Sequence, residues 1–278
     1  MTWNIVLDSS CDLLPQHSLK NAQLKIAPLT IRVADREYVD DETIDVMAML
    51  DDMNNEKSAS STACPSPQAF AQHFEDADNV ICITISKNLS GTYNAAEMAA
   101  RMVKEEHPEK NICVIDSYAT AGEMVLMARL ADKLIGEGKS FGEICETVTA
   151  YRDEAKTVFT LMQYDNLIKA GRMKPLVGKV ITALGIRVIA QGSDIGTIEV
   201  LYKTRGEEAN LKKVVEHMCE TKDVTNKPVV ISHCNNPSGV EKLKALIKEM
   251  CHTEDITVLH CKGLTTFYAM EKGLIVGY

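Results

Sequence analysis

Small hydroxyl side chains gather in four short stretches of this sequence. They are Asp8-Ser9-Ser10-Cys11-Asp12, Ser61-Thr62-Ala63-Cys64-Pro65, Ser86-Lys87-Asn88-Leu89-Ser90-Gly91-Thr92 and Asp116-Ser117-Tyr118-Ala119-Thr120. Helical patterns follow three of them. A helix start offers unpaired N–H groups and a partial positive charge, which suits a carboxylate or a phosphate. Ser90-Gly91-Thr92 is the best example, because two hydroxyls flank a glycine whose backbone can approach a ligand closely. One Ser or Thr at a helix start is ordinarily only a cap. Several at one sheet edge point instead to a small-anion site.

Other chemistries find less support. No G-x-S-x-G elbow for a nucleophilic hydrolase is present. The histidines are scattered, and none falls in a strand-end turn of the first half. Asp8 and Asp116 both follow strands, but Asp8 is expected to orient the serines after it rather than to act as an acid or base. Gly136-Glu137-Gly138-Lys139-Ser140 resembles part of a phosphate-binding loop, yet Lys133 stands near the place where the motif needs its first glycine and no strand precedes it. Ser140 with Glu143 makes a capping box instead. Nine cysteines are spread along the chain with no C-x-x-C pair. They read as small buried hydrophobes of a reducing compartment. His233-Cys234 and His260-Cys261 lack a second ligand pair at zinc-site spacing, so no metal is expected. Catalysis by the isolated chain is not expected, and neither is a cofactor.

The elements that position these turns alternate. Short apolar runs at Trp3–Leu7, Asn79–Ile85 and Asn111–Ile115 predict strands separated by amphipathic helices, the pattern of a mostly parallel sheet with crossover helices. Ligands of such sheets bind beyond the carboxyl ends of the strands, where the hydroxyl-rich turns lie. Lys25–Val33 and Arg36–Val39 read as extended, Thr43–Met53 as a helix with Val46, Met47, Met49, Leu50 and Met53 on one face, and Asn54–Cys64 as a polar loop. Ser66-Pro67 starts a helix. The pattern restarts near Lys156, dividing the chain into an α/β domain over 1–155 and a second over 156–278. In the second, Leu176–Leu184 reads as a short helix, Ile186–Ala190 and Ile198–Thr204 as a hairpin, and Gly273–Tyr278 as a last strand that could return to the first domain.

The bulk numbers set the class. The chain has 278 residues, 45% hydrophobic and 25% charged, enough for two cored domains. A net charge of -9 disfavours nucleic acid and anionic membranes. No stretch is long and apolar enough to span a membrane, and Met1-Thr2-Trp3-Asn4 runs into a strand without a signal-peptide pattern, so a cytoplasmic location is expected.

In order and spacing, these turns resemble those of the DegV family, which includes the fatty-acid-binding subunits of bacterial fatty acid kinase. Asp8-Ser9-Ser10-Cys11-Asp12-Leu13 looks like the family's opening signature. Thr62-Ala63-Cys64-Pro65-Ser66-Pro67 is similar to its T-S-Q-P-S-P loop, with Ala63 and Cys64 as departures. Leu89-Ser90-Gly91-Thr92-Tyr93, Ile115-Asp116-Ser117 and Gly171-Arg172-Met173 match later motifs. The resemblance implies two α/β domains with one long-chain fatty acid between them. It assigns the carboxylate to Thr62 and Ser90 and the acyl chain to an apolar tunnel. Ser9, Gly91 and Thr92 join the candidate headgroup site. A separate kinase would phosphorylate the bound acid, with Arg172 near the kinase-facing surface; an ordinary solvated loop residue is the equal alternative for Arg172.

One departure matters. The family's closing H-T-G-P-G motif is absent, and counting back from the last strand puts Tyr268 where its histidine stands. A tyrosine can donate a hydrogen bond but carries no positive charge. The competing expectation is an enzyme or kinase-type subunit acting on a small carboxylated or phosphorylated metabolite. A short, wide, polar cavity would favour it, and a long, narrow, apolar one the carrier.

Overall fold

The structure, a computed structural model, describes residues 1–14, 17, 19–55, 60–174 and 185–278. Runs of aliphatic and β-branched residues bounded by turn formers build a first sheet. Its strands are β1 (Trp3–Asp8), β2 (Gln23–Ala27), β6 (Asn79–Thr84) and β7 (Asn111–Asp116), all parallel in the order β2-β1-β6-β7. Every residue of β6 is buried, as a central parallel strand covered on both faces requires. Helices α2 (Pro67–Glu75) and α3 (Thr92–Glu106) pack on one face, through Phe70, Phe74, Ala96 and Ala99 against Val6, Val80 and Cys82. Helices α4 (Gly122–Gly136) and α5 (Phe141–Glu154) pack on the other, through Met124, Ala128 and Ile144 against Ile5, Leu7, Ile81 and Ile83.

The local signals hold where the chain states them. Ser66 Oγ accepts the Ala69 N–H with Pro67 in the first turn of α2, and Ser140 with Glu143 forms the capping box of α5. Elsewhere the elements differ from expectation. Lys25–Val33 is not one extended run. Pro28, which has no N–H to give a ladder, separates β2 from β3 (Thr30–Val33), and the two strands join different sheets. Strand β3 pairs antiparallel with β4 (Arg36–Val39) and with β5 (Ser60–Ala63). The expected loop at Asn54–Cys64 therefore contains a strand, stabilised by long-range pairing rather than by its own polar residues. Helix α1 (Val46–Asn55) starts later than expected because Asp45 caps it, its Oδ1 accepting the Ala48 N–H at 2.9 Å. Its buried face is Met49 and Leu50, while Met47 is exposed.

The second sheet is mixed, in the order β10-β9-β8-β13-β11-β12. Its strands are β8 (Thr157–Leu161), β9 (Ile186–Gly192), β10 (Ile198–Arg205), β11 (Val229–His233), β12 (Ile256–His260) and β13 (Leu274–Gly277). The last strand lies between β8 and β11 in this sheet, not in the first. Helices α7 (Glu207–Thr221) and α8 (Pro237–Cys251) cover one face through Leu211, Val215, Leu243 and Ile247. The opposite face carries Phe159, Leu161 and Ile275, beside the short helices α6 (Asp165–Lys169) and α9 (Gly263–Ala269). Where α4 meets this sheet, Gly122 and Gly277 let backbones touch: a Cβ on Gly277 would stand 2.3 Å from the Glu123 nitrogen. The helix expected at Leu176–Leu184 lies outside the described residues.

Candidate functional site

The turns at the carboxyl ends of the first sheet are tied to one another. Asp8, which ends β1, accepts the Ser10 N–H at 3.0 Å through Oδ1 and the Ile85 N–H at 2.6 Å through Oδ2. Burial pushes its carboxyl up to about 6, against the pull of those hydrogen bonds. Ser86 N–H donates to Ala119 O at 2.9 Å, and Lys87 N–H to Asp116 Oδ1 at 3.1 Å, so the turns after β6 and β7 are joined. Ser9 is spent inside this network, where its Oγ accepts the Leu29 N–H at 3.0 Å.

A cavity opens between these turns and the face of the second sheet, with about 840 Å³ of empty space counting its mouth. Ile85 and Leu89 line one side, and Phe159, Leu161, Ile198 and Ile275 the other. Thr62 and Ser90 both line it, though 28 positions in the sequence, with a helix and a strand between, separate them. Thr62 Oγ1 and Tyr268 Oη are 3.1 Å apart, and Ser90 Oγ lies 2.8 Å from Thr92 Oγ1. Among the described residues lining the cavity there is no carboxylate, and Arg172 is the one cation. Electrostatically, the lining suits a neutral or anionic headgroup.

Of the residues singled out by sequence, Thr62, Ser90, Tyr268 and Arg172 line the cavity. Thr92 is fully buried and bonded to Ser90, Gly91 faces outward beside Cys64, and Ser9 lies behind the wall. Arg172 is not freely solvated: its Nε donates to Leu89 O at 2.9 Å and its Nη1 to Ala170 O at 2.6 Å. Among the described residues no group of three His, Cys, Asp or Glu side chains is placed to hold a metal, although the His233 and His260 rings lie tilted against each other with centres 4.4 Å apart.

The sequence reading placed the β9–β10 hairpin and Tyr268 but missed that the hairpin turn and α9 form a second wall. The β9–β10 turn covers the cavity with Gly192, Gly196 and Thr197. It is latched to the first half by Ser86 Oγ donating to Gly196 O at 2.7 Å and Asn88 Nδ2 donating to Ile195 O at 2.6 Å, and to the start of its own half by the Lys156–Asp194 ion pair at 2.8 Å. Gly196 sits at φ +75° against Ser86 and Tyr118. Helix α9, which carries Thr265 and Tyr268, is also a surprise. Its first N–H groups, of Gly263 and Leu264, donate to Asp40 at 2.7 and 2.9 Å from across the fold. No local cap announces it.

Comparison with known proteins agrees with this architecture. The family described as "Uncharacterised protein, DegV family" matches residues 2–274. The chain is similar to a DegV domain-containing protein of Streptococcus pneumoniae, 38% identical over 280 residues with 100% of this chain and 99% of the relative covered. It is similar in structure to the Streptococcus pneumoniae Fatty Acid Kinase (Fak) B3 protein loaded with linoleic acid, at a TM-score of 0.96 and 37% identity over 100% of this chain and 99% of that one. It is similar too to a DegV family protein of Eubacterium eligens loaded with heptadecanoic acid, at a TM-score of 0.95 and 33% identity over 99% of each chain. With the family matched over residues 2–274 and a 38% identical relative covered over 99% of its length, the chain belongs to the DegV family.

Proposed function

We propose that this protein is a carrier that binds one long-chain fatty acid, with the carboxylate at Thr62, Ser90 and Tyr268 and the acyl chain against Phe159, Leu161, Ile198 and Ile275. One observation carries the reading: Thr62 and Ser90, distant in sequence, face one apolar cavity whose described lining holds no carboxylate. The two similar structures loaded with linoleic and heptadecanoic acid support it. Burial of each CH₂ contributes about 0.8 kcal/mol, so the acyl chain supplies most of the gross affinity. The hydroxyls offset the desolvation of the headgroup. Tyr268 would supply a neutral donor, as its hydroxyl already meets Thr62.

In this reading the protein is not itself an enzyme, needs no cofactor, and works in the cytoplasm. A separate kinase would phosphorylate the presented carboxylate. The similarity to a fatty acid kinase B3 protein supports that context, and Arg172 at the cavity wall is the residue we assign to the partner-facing side. The boundary near Lys156 then marks two domains that grip the ligand between them. The test is mass spectrometry of ligand extracted from the purified protein. A long-chain acid at one per chain is the expected result. A small polar metabolite in its place would favour an enzyme or kinase-type subunit and contradict the carrier.

A further inference from the structure

Three buried polar atoms from three separate segments have no hydrogen-bond partner among the described residues: Asp12 Oδ2 in the turn after β1, Ser232 Oγ in β11 and Thr265 Oγ1 in α9. The three residues are 2%, 0% and 5% exposed. A buried polar group without a partner costs about 1–3 kcal/mol, so three unpartnered atoms side by side call for a role. They are neighbours: the Ser232 and Thr265 hydroxyls both stand close enough to favour the charged Asp12 carboxyl, although neither meets it in good hydrogen-bond geometry. The other oxygen of Asp12 is fixed: Oδ1 accepts the Lys262 N–H at 2.9 Å. The Asp12 backbone is held at φ +61°. Thr265 also lines the cavity. It stands between a buried acid and the place assigned to the ligand's headgroup.

We propose that Asp12 is a positioning residue for headgroup recognition, donating a hydrogen bond to Thr265 Oγ1, with Ser232 beside it, so that the Thr265 hydroxyl donates to the bound carboxylate. The proposal rests on the fatty-acid reading of the cavity. A threonine hydroxyl has one proton to give. When Asp12 is ionised, it attracts that proton, and Thr265 turns lone pairs toward the ligand. When Asp12 is protonated, the order reverses and Thr265 becomes a donor. The proton on Asp12 therefore sets the direction of the whole chain of bonds. It also removes a negative charge from behind a seat that has a tyrosine where a cation could stand.

The surroundings favour the protonated form. Burial pushes Asp12 up to about 7, against the Lys262 N–H and the two hydroxyls, and Asp40 adds its charge. The titratable and charged groups around it are Asp8 and Cys11 on its own turn, Asp40 after β4, Lys262 before α9, and the Cys234 and Cys261 thiols beyond β11 and β12. Burial raises Asp8 to about 6 and raises Asp40 as well. Anion binding is then favoured below the Asp12 pKa and weakens as pH rises through it.

The experiment measures displacement of a fluorescent long-chain acid from the full chain, in parallel with a fatty alcohol of equal length. Between about pH 6 and about pH 8, affinity of the wild type for the acid is expected to fall about tenfold, with the alcohol unaffected. Asp12→Asn keeps a donor toward Thr265 at every pH, so its acid profile is expected to be flat. Thr265→Val should lose about tenfold in affinity for the acid at low pH, and Thr265→Ser should restore it. Should Asp12→Asn fail to fold, the Thr265→Val and Thr265→Ser pair decides. An unchanged slope in a folded Asp12→Asn protein overturns the proposal. So does unchanged acid affinity in a Thr265→Val protein that melts like wild type. A wild type that binds neither ligand instead overturns the fatty-acid reading, and this proposal with it.

Discussion

The two walls of the cavity are built by different means. The first wall consists of turns at the carboxyl ends of β1, β6 and β7, each closed by bonds between side chains and nearby or adjoining backbone, such as Asp8 to Ser10 and Ile85. The second wall consists of the β9–β10 turn and α9, which besides the turn's own Ser193–Thr197 bonds are held by bonds that reach across the fold, as Ser86 to Gly196 and Asp40 to Gly263 do. The first wall is a rigid rim set by parallel-sheet geometry. The second is a cover whose place depends on a few polar latches.

Breaking the cover should have the largest effect. A Cβ on Gly196 would stand 2.2 Å from Ser86 Oγ and 2.8 Å from the Tyr118 Cα, at φ +75°. Gly196→Val should displace the turn and lower retention of fatty acid at least about tenfold, read as the dissociation rate of a fluorescent acid. Gly138 offers the control, since it has φ +72° but nothing within 4 Å of an added Cβ. Gly138→Ala should cost only about 1–2 kcal/mol of stability from the left-handed backbone, with binding unchanged. Equal effects at the two glycines would show that the loss at Gly196 is general backbone strain and not a displaced cover.

Headgroup contacts on the rim come next. Ser90→Ala and Thr62→Ala should each weaken binding about tenfold in a displacement assay, by loss of one hydrogen bond to a charged group. Melting temperatures should stay close to wild type, because neither hydroxyl caps an element: α3 has no side-chain cap.

A third prediction uses pH. Glu123 carries the second wall's Thr157, whose hydroxyl donates to Oε2 at 2.7 Å, and burial pushes the Glu123 carboxyl up to about 7. Asp8 on the rim stands at about 6 for the same cause. A carboxyl raised in the folded state binds its proton more tightly there than in the unfolded chain. Its contribution is complete below the unfolded value and is lost as pH rises through the folded one. Stability should therefore decline from about pH 5 to about pH 8, a tenfold difference in proton affinity between the two states being worth about 1.4 kcal/mol. Glu123→Gln should flatten part of that decline in thermal melts. A decline that persists in full would show that Glu123 has no share in it.

The smallest effect is expected at a single latch. Asn88→Ala removes the bond to Ile195 O but leaves those of Ser86 and Lys156. Release of bound acid should quicken by about threefold, in keeping with the ~0.5–1.5 kcal/mol of one neutral hydrogen bond.

The same contrast explains what could be read from the sequence. Strands β1, β6 and β7 and the hydroxyls after them were legible because burial on both faces and helix starts leave local marks, as Ser66-Pro67 does for α2. Thr62 was found through a motif, but its strand was not, since β5 exists only by pairing with β3. Helix α9 and Thr265 left no signal, because the cap that starts the helix is Asp40, which lies 223 residues away from Gly263. Asp12 was visible only as part of a turn, and its role depends on partners from β11 and α9. Long-range polar contacts have no period and no fixed spacing, so no pattern in a single chain announces them.

The proposed carrier function requires an acidic headgroup seated between Thr62 and Ser90 while its chain lies on the apolar face of the second sheet. A crystal structure with bound long-chain acid decides the matter. The expected result is a carboxylate oxygen within about 3.2 Å of Ser90 Oγ and another within the same reach of Thr62 Oγ1, with the chain passing Phe159 and Ile275. A headgroup left in solvent, or a chain running away from those two residues, would contradict it.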